Sequence, residues 1–332
     1  MSNQSIKVQF HEVILNKIVC KKNWADELSK VLHVSTDTIY KKARMDSFYS
    51  LDEVIILMKH FGISLDEMVF DRSDHVHFKM PQLTQPVKSI EDYLGQLANT
   101  FQMVQQAKNV KLYYATRELP IFYYFLNDTL AAFKLFVFSR TVWNISRMAD
   151  ACYSKDLFDP EVFQLTKNIW NQYAQYDSEE YWNSNVMDNT LQQLLYYFDC
   201  GVIKSNDAIS IIEAIKEVTS RCKKMAITNS KNLFHNYNNY KLYDNKIMHT
   251  SNHVRVSSDQ INILFLTYDS PNFIISENAA LLYYTDQWYN SIQENSYYLG
   301  KGSGHHAIDF FNSIAEKIVT VEKRILNFST LS

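Results

Sequence analysis

Two serines mark the starts of two helices. Ser50-Leu51-Asp52-Glu53 and Ser64-Leu65-Asp66-Glu67 are both capping boxes. In each, the serine hydroxyl can accept the N–H three residues on, and the glutamate can reach back to the serine's own N–H. Val54, Ile55, Leu57 and Met58 follow the first box at helical spacing, and Gly62 sits where a glycine ends such a helix. Further helices are predicted over Val8–Val19, over Trp24–Leu32, and from Thr36 to about Arg44 behind Ser35 as N-cap. Helix ends this closely spaced confine residues 1–71 to a bundle of about five short helices.

The rest of the chain is poor in helix breakers, with six Gly and five Pro in 332 residues, so long helices are expected. A hydrophobic fraction of 46 % supplies enough apolar surface to exclude general disorder. Residues 72–88 hold Pro81 and Pro86 without helical period and predict a linker. Residues 89–332 predict a larger, mostly helical domain, with helices near Pro120–Met148, Pro160–Tyr176, Val186–Phe198, Asp207–Met225, Ser276–Gln293 and His306–Leu326. Residues 226–245 read as irregular. A small β-meander is expected over Lys246–His249, Val254–Val256 and Ile261–Tyr268. The fold class expected is therefore mainly α.

The segment Ala25–Arg44 is a helix, a tight break at His33-Val34, and a second helix. Leu28, Val31, Leu32, Val34 and Ile39 can close a small core between the two. The second helix then shows Thr36, Asp37, Tyr40, Lys41 and Arg44 outward, side chains that reach base edges and phosphates from a major groove. Ser35 and Thr38 sit in its first turn, where free N–H groups suit a phosphate oxygen. Lys42, Arg44 and Lys22 are expected near phosphates. Between Lys17 and Arg44 seven Lys and Arg face three acids, in a chain whose net charge is −3. The basic charge is thus local.

These residues, ADELSKVLHVSTDTIYKKAR, resemble the helix-turn-helix of the Cro/lambda-repressor-like superfamily. The continuation SFYSLDEVIILMKHFGISLDEMV resembles the BetR-like amino-terminal domain of regulators found in Bacteroidota, and residues 113–143 and 307–318 look like the long carboxy-terminal region of those proteins. The resemblance implies a five-helix DNA-binding domain over 1–71 and a sensor or oligomerisation domain over 89–332. Two positions depart from the superfamily pattern. His33 stands where the turn usually has Gly, which asks a non-Gly residue for left-handed geometry. Lys42 replaces an aromatic late in the second helix.

The function expected is a sequence-specific, DNA-binding transcriptional regulator, with double-stranded DNA and a second copy of the chain as partners. A small-molecule or protein effector would act on the second domain. The rival reading is a protein-interaction scaffold with a vestigial helix-turn-helix. No membrane partner, catalytic residue, metal or cofactor is expected. Cys20, Cys152, Cys200 and Cys222 form no CxxC pair, the N-terminus lacks a signal peptide's apolar core, and no run approaches 18 uncharged apolar residues, so a cytoplasmic location is expected.

Weaker signals have plainer readings. Gly300–Gly304 before His305-His306 matches no phosphate-loop order and reads as a helix connection. His75, His77, His305 and His306 read as solvated loop histidines. Asp177, Glu179 and Glu180 read as a solvated helix start; a catalytic pair would need one acid in an apolar pocket. The aromatics from Tyr113 to Phe138 read as core before effector pocket. Ile90, Leu94, Leu97, Phe101 and Val104 form a short heptad seam, read as core before dimer contact.

Overall fold

The computed structural model describes residues 6–18, 22–63, 65, 76–105, 107–232, 239–247 and 252–329. The chain divides into two compact units, Met1–His77 and Phe78–Ser332.

The first unit contains α1 (Ile6–Lys17), α2 (Trp24–Leu32), α3 (Thr36–Ala43) and α4 (Leu51–Phe61). Its core is Phe10, Ile14, Ile18, Leu28, Leu32, Ile39, Val54 and Leu57, with Val31 and Val34 packed at the margin. The Ser50–Glu53 capping box is formed on both sides. Gly62 closes α4 at φ 62°, and the Ile63 N–H reaches the Met58 carbonyl at 3.0 Å, which is a Schellman closure. His33 closes α2 in the same way at φ 54°, with the Val34 N–H on the Ser29 carbonyl at 3.1 Å. The expected fifth helix and the Ser64–Glu67 box fall mostly outside the described residues.

The second unit corrects the mainly α expectation. It is built on a seven-stranded mixed sheet. β1 (Lys111–Ala115), β2 (Asp177–Trp182) and β3 (Tyr240–Asp244) run parallel in that order. β4 (His253–Ser257) pairs antiparallel with β1, followed outward by β5 (Asn262–Asp269) and β6 (Asn272–Ser276). β7 (Tyr297–Tyr298) pairs antiparallel with β3. Two of the three expected meander segments become β4 and β5. Lys246 and Ile247 are not strand, and His249 lies outside the described residues. The parallel strands went unread because they are short and buried on both faces, so they show no alternation. β2 also opens on acids that disfavour strands, and β3 lies inside the Asn- and Tyr-rich stretch read as irregular.

One sheet face carries Leu112, Tyr114, Glu180, Trp182, Tyr240 and Leu242. It packs against a helical layer: α5 (Ile90–Gln105), α6 (Ile121–Tyr124), α7 (Asp128–Thr141), α8 (Ser146–Ala149), α9 (Pro160–Tyr173), α10 (Asp188–Asp199), α11 (Ser205–Thr228) and α13 (His305–Ser329). The other face carries Ala115, Tyr181 and Tyr243 under α12 (Ala279–Glu294), where the Tyr289 hydroxyl donates to the Tyr113 and His253 carbonyls at 3.0 and 2.8 Å. α7 is buried on every side from Leu130 to Ser139, as an evenly apolar helix must be.

The Ile90–Val104 seam is core, as expected, with Ile90, Leu94, Phe101 and Val104 in the main cluster. Two smaller expectations are corrected as well. Phe78–Lys88 belongs to the second unit, where the Lys79 and Ile275 backbones exchange two hydrogen bonds at 2.8 Å, so this stretch is no free linker. The span Pro120–Met148 is three helices, because Asn127 caps a new start by accepting from the Thr129 and Leu130 N–H groups.

Candidate nucleic-acid interface

α3 is short, and its start is well defined. Ser35 is extended at φ −69°, ψ 152°, and its hydroxyl accepts the Thr38 N–H at 3.3 Å. The Thr38 hydroxyl lies 2.9 Å from that of Ser35. Thr38 is half-buried and completes the cap, so it does not stand with the outward face. The N–H groups of Thr36 and Asp37 belong to the first turn, which leaves its donors outside the intrahelical ladder.

Asp37, Tyr40, Lys41 and Arg44 are all exposed, at i, i+3, i+4 and i+7, with half-buried Thr36 beside them. They share one helix face. Tyr40 is held by Trp24, whose ring meets it edge-on at 5.4 Å. Trp24 is in turn edge-on to His11 at 5.8 Å, and His11 Nδ1 lies 3.0 Å from the Tyr49 hydroxyl. A row of rings thus ties the exposed face to α1 and to the residue before the α4 cap. Burial pushes the His11 pKa down, against a weaker pull from Glu12, and so favours the neutral ring. Arg44 pairs with Asp46 at 3.4 Å, both more than half exposed, a contact that water weakens. Lys22 is exposed.

Lys42 is the correction within this set. It is 6 % exposed and points inward. Its ammonium donates to Glu53 at 2.8 Å and to the Phe48 carbonyl at 3.0 Å, and sits 5.0 Å from the Tyr49 ring centre. Burial would raise the Glu53 pKa, but the bonds from Lys42 and the Ser50 N–H outweigh it and hold the carboxyl below its ordinary value. Lys42 therefore joins α3 to the capping box of α4 and does not face phosphate. Lys42 lies about 100° round the helix from Lys41, so helical spacing turns it off the exposed face but does not name its partner.

In the second unit, Glu179 and Glu180 form a strand pair, not a helix start. Glu179 lies between Lys111 on β1 and Lys241 on β3, at 2.8 and 3.0 Å, and those lysines overcome burial to hold its pKa low. Glu180 points to the opposite face and is fully buried. It accepts from the hydroxyls of Tyr123 and Tyr173, from Trp182 Nε1 at 3.0 Å and from the Ser178 hydroxyl at 3.3 Å. Burial raises its pKa, against the pull of the Lys231 ammonium. Lys231 is buried as well, over the Tyr173 ring, and its pKa is lowered to about 8. Adjacent carboxylates with pKa values pushed apart are what acid–base chemistry needs. Here four donors already fill the inner acid and two lysines hold the outer one, so the arrangement is that of a structural pair.

Lys134 is buried as well. It pairs with Glu118 and donates to the Gln193 side-chain oxygen at 3.1 Å. The aromatics of 113–138 are core, with Tyr123, Tyr124, Phe133 and Phe136 fully buried. A cavity of about 410 Å³ lies elsewhere, under α12, lined by His253, Leu264, Leu266, Leu281, Trp288 and others. Gly300 has no room for a Cβ, which would strike Tyr298 and Asn229, so the loop before α13 is packed at its first residue, whereas Gly302 and Gly304 stand in open space. Among the described residues no group of three His, Cys, Asp or Glu converges, and no helix is long and apolar enough to cross a membrane.

Comparison of the chain with family models, with curated proteins and with solved structures finds no match in any of the three.

Proposed function

We propose that the chain is a sequence-specific DNA-binding regulator that reads the major groove with α3. The observation that carries this reading is the exposed face of Asp37, Tyr40, Lys41 and Arg44 on a capped helix that follows α2 across a three-residue turn. Lys41, Arg44 and Lys22 supply phosphate contacts. Tyr40 and Lys41 reach base edges, with Thr36 at the helix start. Asp37 accepts from a cytosine amino group. With Lys42 neutralised internally by Glu53, the sequence from Lys17 to Arg44 still holds six other basic residues against three acids. The second unit holds the effector and oligomerisation functions, and its cavity under α12 is in the size range of small-ligand sites.

The test is selection of enriched sites from a random duplex library with the full chain at two salt concentrations. A recurrent motif is expected. For the selected site, replacing Lys41 and Arg44 together by Ala reduces the slope of log affinity against log salt by up to about 2. Absence of any enriched motif, or an unchanged slope in a folded variant, overturns the assignment.

A further inference from the structure

α13 carries more apolar surface than its own unit covers. Phe310, Phe311, Ile314, Ile318 and Ile325 face the core. A second row, Ile308, Asn312, Ala315, Val319, Glu322 and Leu326, runs along the same helix at spacings of 4, 3, 4, 3 and 4. That is a heptad seam nearly three heptads long. Ile308, Val319 and Leu326 are 45, 39 and 43 % exposed. Asn312 and Ala315 are exposed too.

We propose that this seam pairs antiparallel with the same seam of a second copy of the chain. Read backwards, the row is its own complement. Ile308 meets Leu326, Ala315 meets Val319, and Asn312 meets Glu322 across a two-fold axis near residue 317. A two-fold interface requires such reciprocity. A parallel pair would stack Glu322 on Glu322, a like-charge contact, whereas the antiparallel pair gives each Glu322 carboxylate an Asn312 amide donor. Such a polar layer fixes register and orientation. Glu322 is already aimed by Lys216 at 2.6 Å.

The flanking charges agree. Asp309 and Lys323 are exposed and make no ion pair among the described residues, and the antiparallel register places each Asp309 beside the Lys323 of the other copy. Glu316 meets its own counterpart near the axis, an unfavourable contact. Lys223 borders the same stretch and is also without an ion pair among the described residues, so its charge offsets the two acids. A groove of about 270 Å³ beside the seam, lined by Lys216, Lys223, Phe311, Asn312, Ala315 and Val319, receives the partner's side chains. The dimer deepens the DNA-reading proposal, since two modules related by a two-fold read two half-sites, but its test needs no DNA.

Sedimentation of the full chain at micromolar concentration is expected to give twice the 39.0 kDa mass of one chain. Val319→Glu is expected to give the single-chain mass with unchanged circular dichroism. Should that variant unfold, the charge pair answers the same question. Asp309→Lys weakens the dimer, and adding Lys323→Asp restores it. Orientation is read by oxidation, with Cys20, Cys152 and Cys200 replaced by Ser. Ala315→Cys with Val319→Cys cross-links two chains, whereas Ile308→Cys alone does not, because about 27 Å of helix separates the two copies of residue 308. A monomeric wild type, a dimeric Val319→Glu chain that resists the charge swap, or a cross-link through Ile308→Cys overturns the proposal. Each of these leaves the DNA-binding test untouched.

Discussion

Lys42 and Lys41 are neighbours with the same charge, and the structure buries the first and exposes the second. Replacing Lys42 by Met keeps the aliphatic stem and removes the ammonium. Three contacts go with it: the pair with Glu53 at 2.8 Å, the bond to the Phe48 carbonyl at 3.0 Å and the approach to the Tyr49 ring at 5.0 Å. A hydrogen bond to a charged group contributes about 1.5–3 kcal/mol, and the cation over the ring adds about 0.5–1. Glu53 keeps its bond from the Ser50 N–H at 2.6 Å and is 19 % exposed, so water recovers part of the loss. A net cost of about 2–3 kcal/mol follows, below the upper range for breaking a fully buried pair. Hydrogen exchange of the α3 and α4 amides reads this locally, as an acceleration of about 30- to 150-fold. The acid limb changes as well. The folded Glu53 pKa lies below its unfolded value, so its stabilisation is present above about pH 4.5 and is lost as pH falls through the folded value. That limb is reduced in the Met variant, where the Ser50 bonds alone oppose burial. On a selected duplex, Lys42→Met leaves the salt slope unchanged, whereas Lys41→Ala lowers it by about 1 and leaves exchange unaltered. Unchanged exchange in Lys42→Met, or a slope lowered as much as in Lys41→Ala, would refute this division.

Two further outcomes are expected. Glu180 has a raised pKa, so the folded state holds its proton longer, and stability falls as pH rises above the ordinary carboxylate range, by up to about 1.4 kcal/mol per pH unit. Lys231, lowered to about 8, works in the opposite sense from there to its unfolded value near 10.5. Urea unfolding between pH 5 and 8 should show the falling limb in the wild type and not in Glu180→Gln; the same slope in both would contradict the buried position of this acid. His33→Gly removes left-handed strain worth about 1 kcal/mol while loosening the unfolded chain, so a net gain of about 0.5 kcal/mol is expected in thermal unfolding, and a loss would mean that the imidazole contributes more than the turn costs.

The first unit was legible because its signals are local. Ser35, Ser50 and Gly62 each act on backbone groups within a few residues, and all three appear where the sequence places them. The exposed face of α3 followed from the same periodicity. Lys42 escaped because its partner Glu53 is brought near by the turn between α3 and α4, and no spacing rule within α3 encodes that. The sheet was illegible for a related reason. β1 pairs with residues over sixty positions away on β2 and about a hundred and forty away on β4, and its five residues carry half-buried Tyr113 and buried Tyr114 on opposite faces. A strand covered twice shows no alternation to read. The acids of β2 misled because their partners, Lys111, Lys241 and Lys231, all come from distant segments.

That same strand carries a form of error checking. Side chains alternate across a sheet, so a slip of one residue would exchange the faces of β2. Asp177 and Glu179 would turn toward the helical layer, where the hydroxyls of Tyr123 and Tyr173 are placed for the one carboxylate of Glu180, and Glu180 would leave those two tyrosines for the side of the lysines. Burying an unmatched carboxylate costs several kcal/mol, more than a short parallel pairing returns. Mispaired versions of the central sheet are thus disfavoured by that cost. Two consecutive glutamates, an awkward choice for the middle of a strand, keep the chain from settling one position out of line.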